Sequence, residues 1–290
     1  MSVAMIFPGQ GSQSVGMLAD LAASEPAVHE TFAEASECLG YDLWRLCQEG
    51  PEETLGQTDK TQPALLAAGV AVFRAWSARG GQDASIMAGH SLGEYTALVC
   101  AGRMGFRDAV SLVRYRGEIM QAAVPAGSGA MAAILGLDDE AIGGVCEAAA
   151  QNGVVEPVNF NSPGQVVIAG DAQAVDRAIA AATDQGARRA IRLQVSVPSH
   201  CSLMIGAAGQ LAERLQEVNI AAEGIPVVHN VDGHTRGDAS GVRQALAHQL
   251  CRPVRWTTCI GAMKDTGADC FLEMGPGKVL TGLMRRIDRN

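Results

Sequence analysis

Short, continuous apolar runs alternate along the chain with longer stretches of helical character, separated by Gly- and Pro-containing breaks. Val3-Ala-Met-Ile-Phe7 predicts a buried first strand, and Pro8-Gly9-Gln10-Gly11-Ser12-Gln13 ends it in a tight loop. Met17 to about Cys38 and Thr61 to Arg79 read as helical. Ala84 to Ala88 reads as a second buried strand, followed by helices over Leu92–Cys100 and Arg107–Ala123. The texture changes after Pro125-Ala-Gly-Ser-Gly129, which has the composition of a linker. Strands are expected over 130–137, 154–160, 165–169 and 190–195, with helices over 138–151 and 172–185. That order, β-α-β-β-α-β, is the split pattern of a ferredoxin-like module. Beyond Val197-Pro-Ser-His200 the chain reads as α/β again, with strands over 225–230 and 270–274. The expected fold is therefore α/β, with a small domain (127–196) inserted in a larger one (1–126 and 197–290).

Composition narrows the function classes. The 290 residues suffice for a sizeable core, and 48% hydrophobic with 18% charged residues suits a globular α/β enzyme. A net charge of -9 argues against general nucleic-acid binding, which needs a basic face. It also means that an acidic partner must dock on a local basic patch. The eight cysteines form no Cys-x-x-Cys pair and no disulfide ladder, which fits a reducing cytoplasm. The N-terminus does not read as a signal peptide, and no run of 18 apolar residues predicts a membrane span.

The candidate chemistry centres on Gly89-His90-Ser91-Leu92-Gly93, placed between a predicted strand and a predicted helix. Gly-x-Ser-x-Gly in that context is the nucleophile elbow, which presents the serine oxygen at a helix N-terminus. The pattern alone also fits a tight turn without chemistry. A serine nucleophile needs a base. Of six histidines, His200 stands at a strand end after the serine in chain order, while His90 adjoins the serine and points in another direction.

Phe7-Pro-Gly-Gln-Gly-Ser-Gln13 and Gly89-His-Ser-Leu-Gly-Glu-Tyr95 together resemble the malonyl-CoA:acyl carrier protein transacylase family. The resemblance extends to Arg114-Tyr-Arg-Gly117, Asn159-Phe-Asn-Ser-Pro-Gly-Gln165, Val197-Pro-Ser-His200 and Glu273-Met-Gly-Pro-Gly277, in order over nearly the whole chain. It implies an α/β-hydrolase-like domain carrying a ferredoxin-like insertion. It also implies acylation of Ser91, His200 as general base and then acid, and the backbone carbonyl of Gln249 as the group that orients the histidine. The N–H groups of Gln10 and Leu92 would form the oxyanion hole. Arg116 would hold the free carboxylate of malonyl by a bidentate, charge-assisted pair, with Gln62 and Asn161 near the site.

The reaction so implied is ping-pong transfer from malonyl-CoA to the phosphopantetheine thiol of acyl carrier protein, with no metal or other cofactor and with a monomer as the default. Because that carrier is acidic, a basic docking patch is expected among Arg188, Arg189, Arg192, Lys278, Arg285 and Arg286. Leu92 resembles malonyl-specific members, and Ser199 before the histidine fits the bacterial fatty-acid enzymes. Three alternatives stay open: a trans-acting polyketide acyltransferase, an acyl-thioester hydrolase, and a carrier-binding module without catalysis. Arg116 speaks against the hydrolase, and the presence of both Ser91 and His200 speaks against the inert module.

Overall fold

The computed structural model describes residues 2–195 and 197–288. The described residues form two four-stranded sheets. The first consists of β1 (Val3–Phe7), β2 (Ile86–Gly89), β7 (Val227–Val228) and β8 (Cys270–Glu273), in the order β7-β2-β1-β8 with every pairing parallel. The second consists of β3 (Gly129–Leu135), β4 (Val155–Ser162), β5 (Gln165–Asp171) and β6 (Arg189–Arg192), in the order β4-β5-β3-β6 with every pairing antiparallel.

All five residues of β1 are buried, because helices cover both faces of a parallel sheet. Side chains alternate between those faces. Val3, Met5 and Phe7 join Phe32, Leu66 and Val113 in the larger cluster, from helices Pro26–Leu39, Thr58–Ala78 and Phe106–Ala122. Ala4 and Ile6 turn the other way and pack with Trp256, Met263 and Leu280, from helices Trp256–Asp265 and Val279–Ile287.

In the second sheet, Ala130, Ala132, Ile134, Val166 and Ile168 pack beneath helices Asp139–Ala150 and Ala172–Asp184. Its opposite face, with Met131, Val158, Val167 and Ala169, covers Cys201, next to His200 in the chain. Edge strand β4 is tied to the rest of the molecule by backbone bonds between Val158, Phe160 and Val254.

The expected β-α-β-β-α-β order holds, each element lying within a few residues of its expected place. Two differences have physical causes. The single helix expected from Met17 to Cys38 is two, Ala19–Ala22 and Pro26–Leu39, because Pro26 cannot continue a helix but suits a first turn. The strand expected over 225–230 shrinks to Val227–Val228, the two residues in register with β2 at the sheet edge. No helix of the described residues is long and apolar enough to cross a membrane.

Candidate active site

The elbow forms where β2 meets helix Gly93–Cys100. Ser91 is held at φ 51, a left-handed backbone conformation uncommon outside glycine. Both flanking glycines answer to close approach. A Cβ on Gly89 would overlap the backbone of Gly93 and Glu94, and one on Gly93 would overlap the carbonyl of Phe7.

Ser91 Oγ lies 2.8 Å from Nε2 of His200. On the far side of the ring, Nδ1 lies 2.6 Å from the backbone carbonyl of Gln249. A carbonyl can only accept, so Nδ1 carries the proton and Nε2 presents its lone pair to the serine. His200 has φ 67 and is 3% exposed, and its N–H donates to the carbonyl of Leu250. Burial and the positive charge of Arg116 lower its pKa to about 3, against the opposing pull of the Gln249 carbonyl. The imidazole is therefore neutral at ordinary pH, as a base must be.

Arg116 reaches the same point from helix Phe106–Ala122. It is 1% exposed, with Nη2 3.3 Å from Ser91 Oγ. Its other bonds go to neutral amides: Nη1 to Gln62 Oε1 at 2.8 Å and Nη2 to Gln249 Oε1 at 3.0 Å. The guanidinium carbon sits 5.4 Å from the centre of the Tyr95 ring. Among the described residues no carboxylate lies within ion-pair distance of Arg116. Burial lowers its pKa, yet an arginine stays charged. The cation is thus oriented by dipoles and suited to an anionic group brought by a ligand.

Ser91, His200, Arg116, Gln10 and Leu92 line one cavity of about 90 Å3, walled also by Met120 and by Met131, Asn159, Leu193 and Val195. Gln249 and Gln62 stand behind it and hold lining residues. Asn161 stands behind it as well, its Oδ1 2.8 Å from His90 Nε2, while Asn159 of the same strand lines the cavity. His90, beside the nucleophile in sequence, faces β4 and Trp256 rather than the serine oxygen. Arg188, Arg189, Arg192, Lys278, Arg285 and Arg286 are exposed and are not among the residues that line the cavity. Among the described residues no group of three His, Cys, Asp or Glu side chains is placed to hold a metal ion.

Sequence reasoning passed over Asn230, Glu94 and His229, all fully buried. Asn230 Oδ1 accepts the Ser91 N–H at 2.7 Å, and its Nδ2 donates to the Gly89 carbonyl at 2.7 Å. Asn230 lies 139 residues from the serine in the chain, so no spacing signalled it. Glu94 stood in view within Gly-His-Ser-Leu-Gly-Glu, where a charged residue in an otherwise apolar buried helix was the available signal.

The acyl transferase domain family matches residues 4–287. The malonyl CoA-acyl carrier protein transacylase of Escherichia coli K12 is 59% identical over 284 residues, covering 98% of this chain and 92% of that protein. The Bacillus subtilis protein of the same name is 44% identical, covering 99% and 90%. The solved malonyl CoA-acyl carrier protein transacylase of Coxiella burnetii superposes with a TM-score of 0.99 at 53% identity, covering 100% of this chain and 92% of that one. A malonyl-transacylase solved in complex with a type II PKS acyl-carrier protein gives 0.98 at 56% identity, covering 100% and 94%. With its motifs, its two sheets and the Ser91–His200 pair in place, the chain belongs to the malonyl-CoA:acyl carrier protein transacylase family.

Proposed function

We propose that the chain transfers malonyl from malonyl-CoA to the phosphopantetheine thiol of acyl carrier protein, through an ester on Ser91. One observation carries this reading: Ser91 Oγ has a neutral imidazole 2.8 Å away and a buried guanidinium 3.3 Å away. A nucleophile so placed is served by a base, and its cargo is met by a fixed positive charge. An acyl group that ends in a carboxylate close to its thioester carbonyl satisfies both. One without a carboxylate leaves the buried cation unpaired, which costs several kcal/mol.

In the first half-reaction Ser91 Oγ attacks the thioester carbonyl as its proton passes to His200 Nε2. The C–S bond breaks, and His200 returns the proton to the coenzyme A thiolate. In the second, His200 takes the proton of the carrier thiol, whose sulfur attacks the ester carbonyl. The C–Oγ bond breaks and Oγ recovers the proton. The Gln249 carbonyl keeps His200 in the productive tautomer. The N–H groups of Gln10 and Leu92, from two loops that meet at the cavity, are assigned to the developing oxyanion. The scheme calls for no cofactor.

We read 1–126 and 197–290 as the catalytic domain and 127–196 as the small domain. Met131, Asn159, Leu193 and Val195 then form the wall along which the thioester arm enters. The carrier's docking surface is assigned to Arg188, Arg189, Lys278, Arg285 and Arg286. Arg286 bonds Gln165, and Gln165, Leu135 and Arg189 lie in register across β5, β3 and β6, about 10 Å from end to end. Arg192 is engaged by Asp176 and is left out of the patch. Eight free cysteines accord with a reducing cytoplasm.

The neighbour solved with a type II PKS acyl-carrier protein favours a second reading in which a polyketide carrier is the acceptor. The chemistry is the same, and comparing the two carrier types as acceptors separates the readings. The central experiment is intact-mass analysis after mixing with malonyl-CoA. A malonyl adduct is expected on the unmodified chain and not on Ser91→Ala. No adduct and no transfer to carrier protein would defeat the proposal.

A further inference from the structure

Glu94 is a carboxylic residue with no exposure, in the first turn of the helix that follows Ser91, and no step above uses it. Its Oε2 accepts from the backbone N–H of Asn230 and from Nε2 of Gln249, both at 2.9 Å. Its Oε1 lies 2.7 Å from Nδ1 of the buried His229.

The two residues that lean on Oε2 of Glu94 are the two that grip the serine peptide. Asn230 Oδ1 takes the Ser91 N–H, and Gln249 Nε2 donates to the Ser91 carbonyl at 3.0 Å. A left-handed, non-glycine nucleophile persists only where its surroundings over-determine it, and these two amides do so. Gln249 also has only one workable orientation. Around Nε2 stand three acceptors: Glu94 Oε2, the Ser91 carbonyl and Asn230 Oδ1. Opposite them Oε1 meets a donor, Arg116 Nη2. Reversing the amide would set oxygen against carboxylate and NH2 against guanidinium, so the carboxylate on one side decides that Arg116 finds an acceptor on the other.

Resting on the proposed roles of Ser91, Gln249 and Arg116, we infer that Glu94 is a positioning residue that locks the Gln249 and Asn230 amides, and through them fixes both the nucleophile and the carboxylate clamp. Removing it therefore disturbs the choice of acyl group as well as the rate, which a loss of stability alone does not do.

The test compares Glu94→Gln, close in shape, with Glu94→Met, which keeps the volume and removes both acceptors. Acylation by malonyl-CoA and by acetyl-CoA is timed by intact mass on folded protein, with circular dichroism and melting as controls. Glu94→Gln, whose neutral amide replaces charge-assisted bonds, is expected to slow malonyl loading about tenfold. Glu94→Met is expected to slow it about a hundredfold. Both narrow the preference for malonyl over acetyl, Glu94→Met by about tenfold. If Glu94→Gln matches the unmodified protein within about twofold in rate and preference, the inference falls, whether or not Glu94→Met folds. Equal slowing with both acyl groups would also overturn it, leaving Glu94 a purely structural role. Failure of the unmodified chain to load malonyl would instead overturn the proposed function.

Discussion

His200 and Gln249 are joined by a 2.6 Å contact from the imidazole Nδ1 to a backbone carbonyl, while the side chain of the same Gln249 faces Arg116. One residue thus orients the base with its main chain and the clamp with its side chain. Substitution separates the two functions. Gln249→Ala keeps the carbonyl and with it the histidine tautomer. It is expected to load malonyl about 10–100-fold more slowly and with less preference over acetyl. His200→Ala removes the base and is expected to slow loading by about 10²–10⁴-fold for both acyl groups. Adduct formation by intact mass measures both.

The low pKa of His200 gives a pH dependence. Its value of about 3 lies below the ordinary 6.5, so the base stays neutral, and malonyl loading is expected to hold level from about pH 8 to about pH 5. Because Arg116 contributes to the lowering, Arg116→Leu is expected to move the acid limb of acetyl loading upward. Stability follows the same shift with the opposite appearance. Between the two pKa values the unfolded chain binds a proton that the folded chain does not, so this group's contribution declines as pH falls below 6.5. Rate–pH profiles with acetyl-CoA, and melting temperatures across the same range, test the two statements. A limb for unmodified protein near pH 6.5 would contradict the first.

The clamp itself is tested by selectivity. Arg116→Leu removes two charge-assisted bonds that a terminal carboxylate would receive. The preference for malonyl over acetyl is expected to drop by about a hundredfold, or about 3 kcal/mol. The competition is read by mixing both thioesters and weighing the adducts. An unchanged ratio would place the carboxylate elsewhere.

The parts of this site that lie on short continuous motifs were legible in the sequence. Gly89–Gly93 carries its own turn chemistry, and an apolar strand before it with a helix after it tells where the serine points. The ferredoxin-like order over 129–192 was legible for a similar reason, since each element has its own pattern and its own turn. What the sequence hid was assembled across distance. Asn230 follows a two-residue edge strand with almost no pattern, and its link to Ser91 exists only because β7 pairs with β2. Asn161, expected near the site, falls in the register shift of β4 between Phe160 and Ser162 and bonds His90, while Asn159 of the same strand lines the cavity. Helix Ala239–Gln249, which delivers Gln249 at its last residue, starts at an Asp238 cap that the sequence reading did not use.

The glycines of the elbow admit a direct test of close approach. Gly93 lies against the end of β1, where an added methyl meets the Phe7 carbonyl and then that of Pro8, both backbone atoms that cannot swing aside. Gly93→Ala is expected to destabilise the protein by about 3 kcal/mol or more and to abolish loading. Gly143→Ala, at an open position in helix Asp139–Ala150, is expected to raise stability by about 0.5–1 kcal/mol with loading unchanged. Thermal melting of the two variants measures the contrast.

Glu273, which opens the last of the sequence motifs, links that motif to the proposed docking surface. From the end of β8 its carboxylate accepts the N–H of Leu280 at 2.9 Å, and the N–H and hydroxyl of Thr281 at 2.7 and 2.6 Å. These donors belong to the first turn of helix Val279–Ile287, whose early N–H groups have no partner within the helix. The helix buries Leu280 and Leu283 and exposes Arg285 and Arg286 at its C-terminal end, beside the second sheet. Removing the cap with Glu273→Ala is expected to cost about 1–2 kcal/mol and to lower the melting temperature by about 2–4 °C. The acylation machinery does not touch this helix, so malonyl loading on Ser91 should be kept. Transfer from the loaded ester to carrier protein should slow, because the two arginines ride on the helix that has lost its anchor. Reversing Arg189 and Arg286 to Glu should slow the same half-reaction further while leaving loading alone. Single-turnover measurements of each half-reaction separate the outcomes, and carrier transfer unaffected by the charge reversals would mean that the docking surface lies elsewhere.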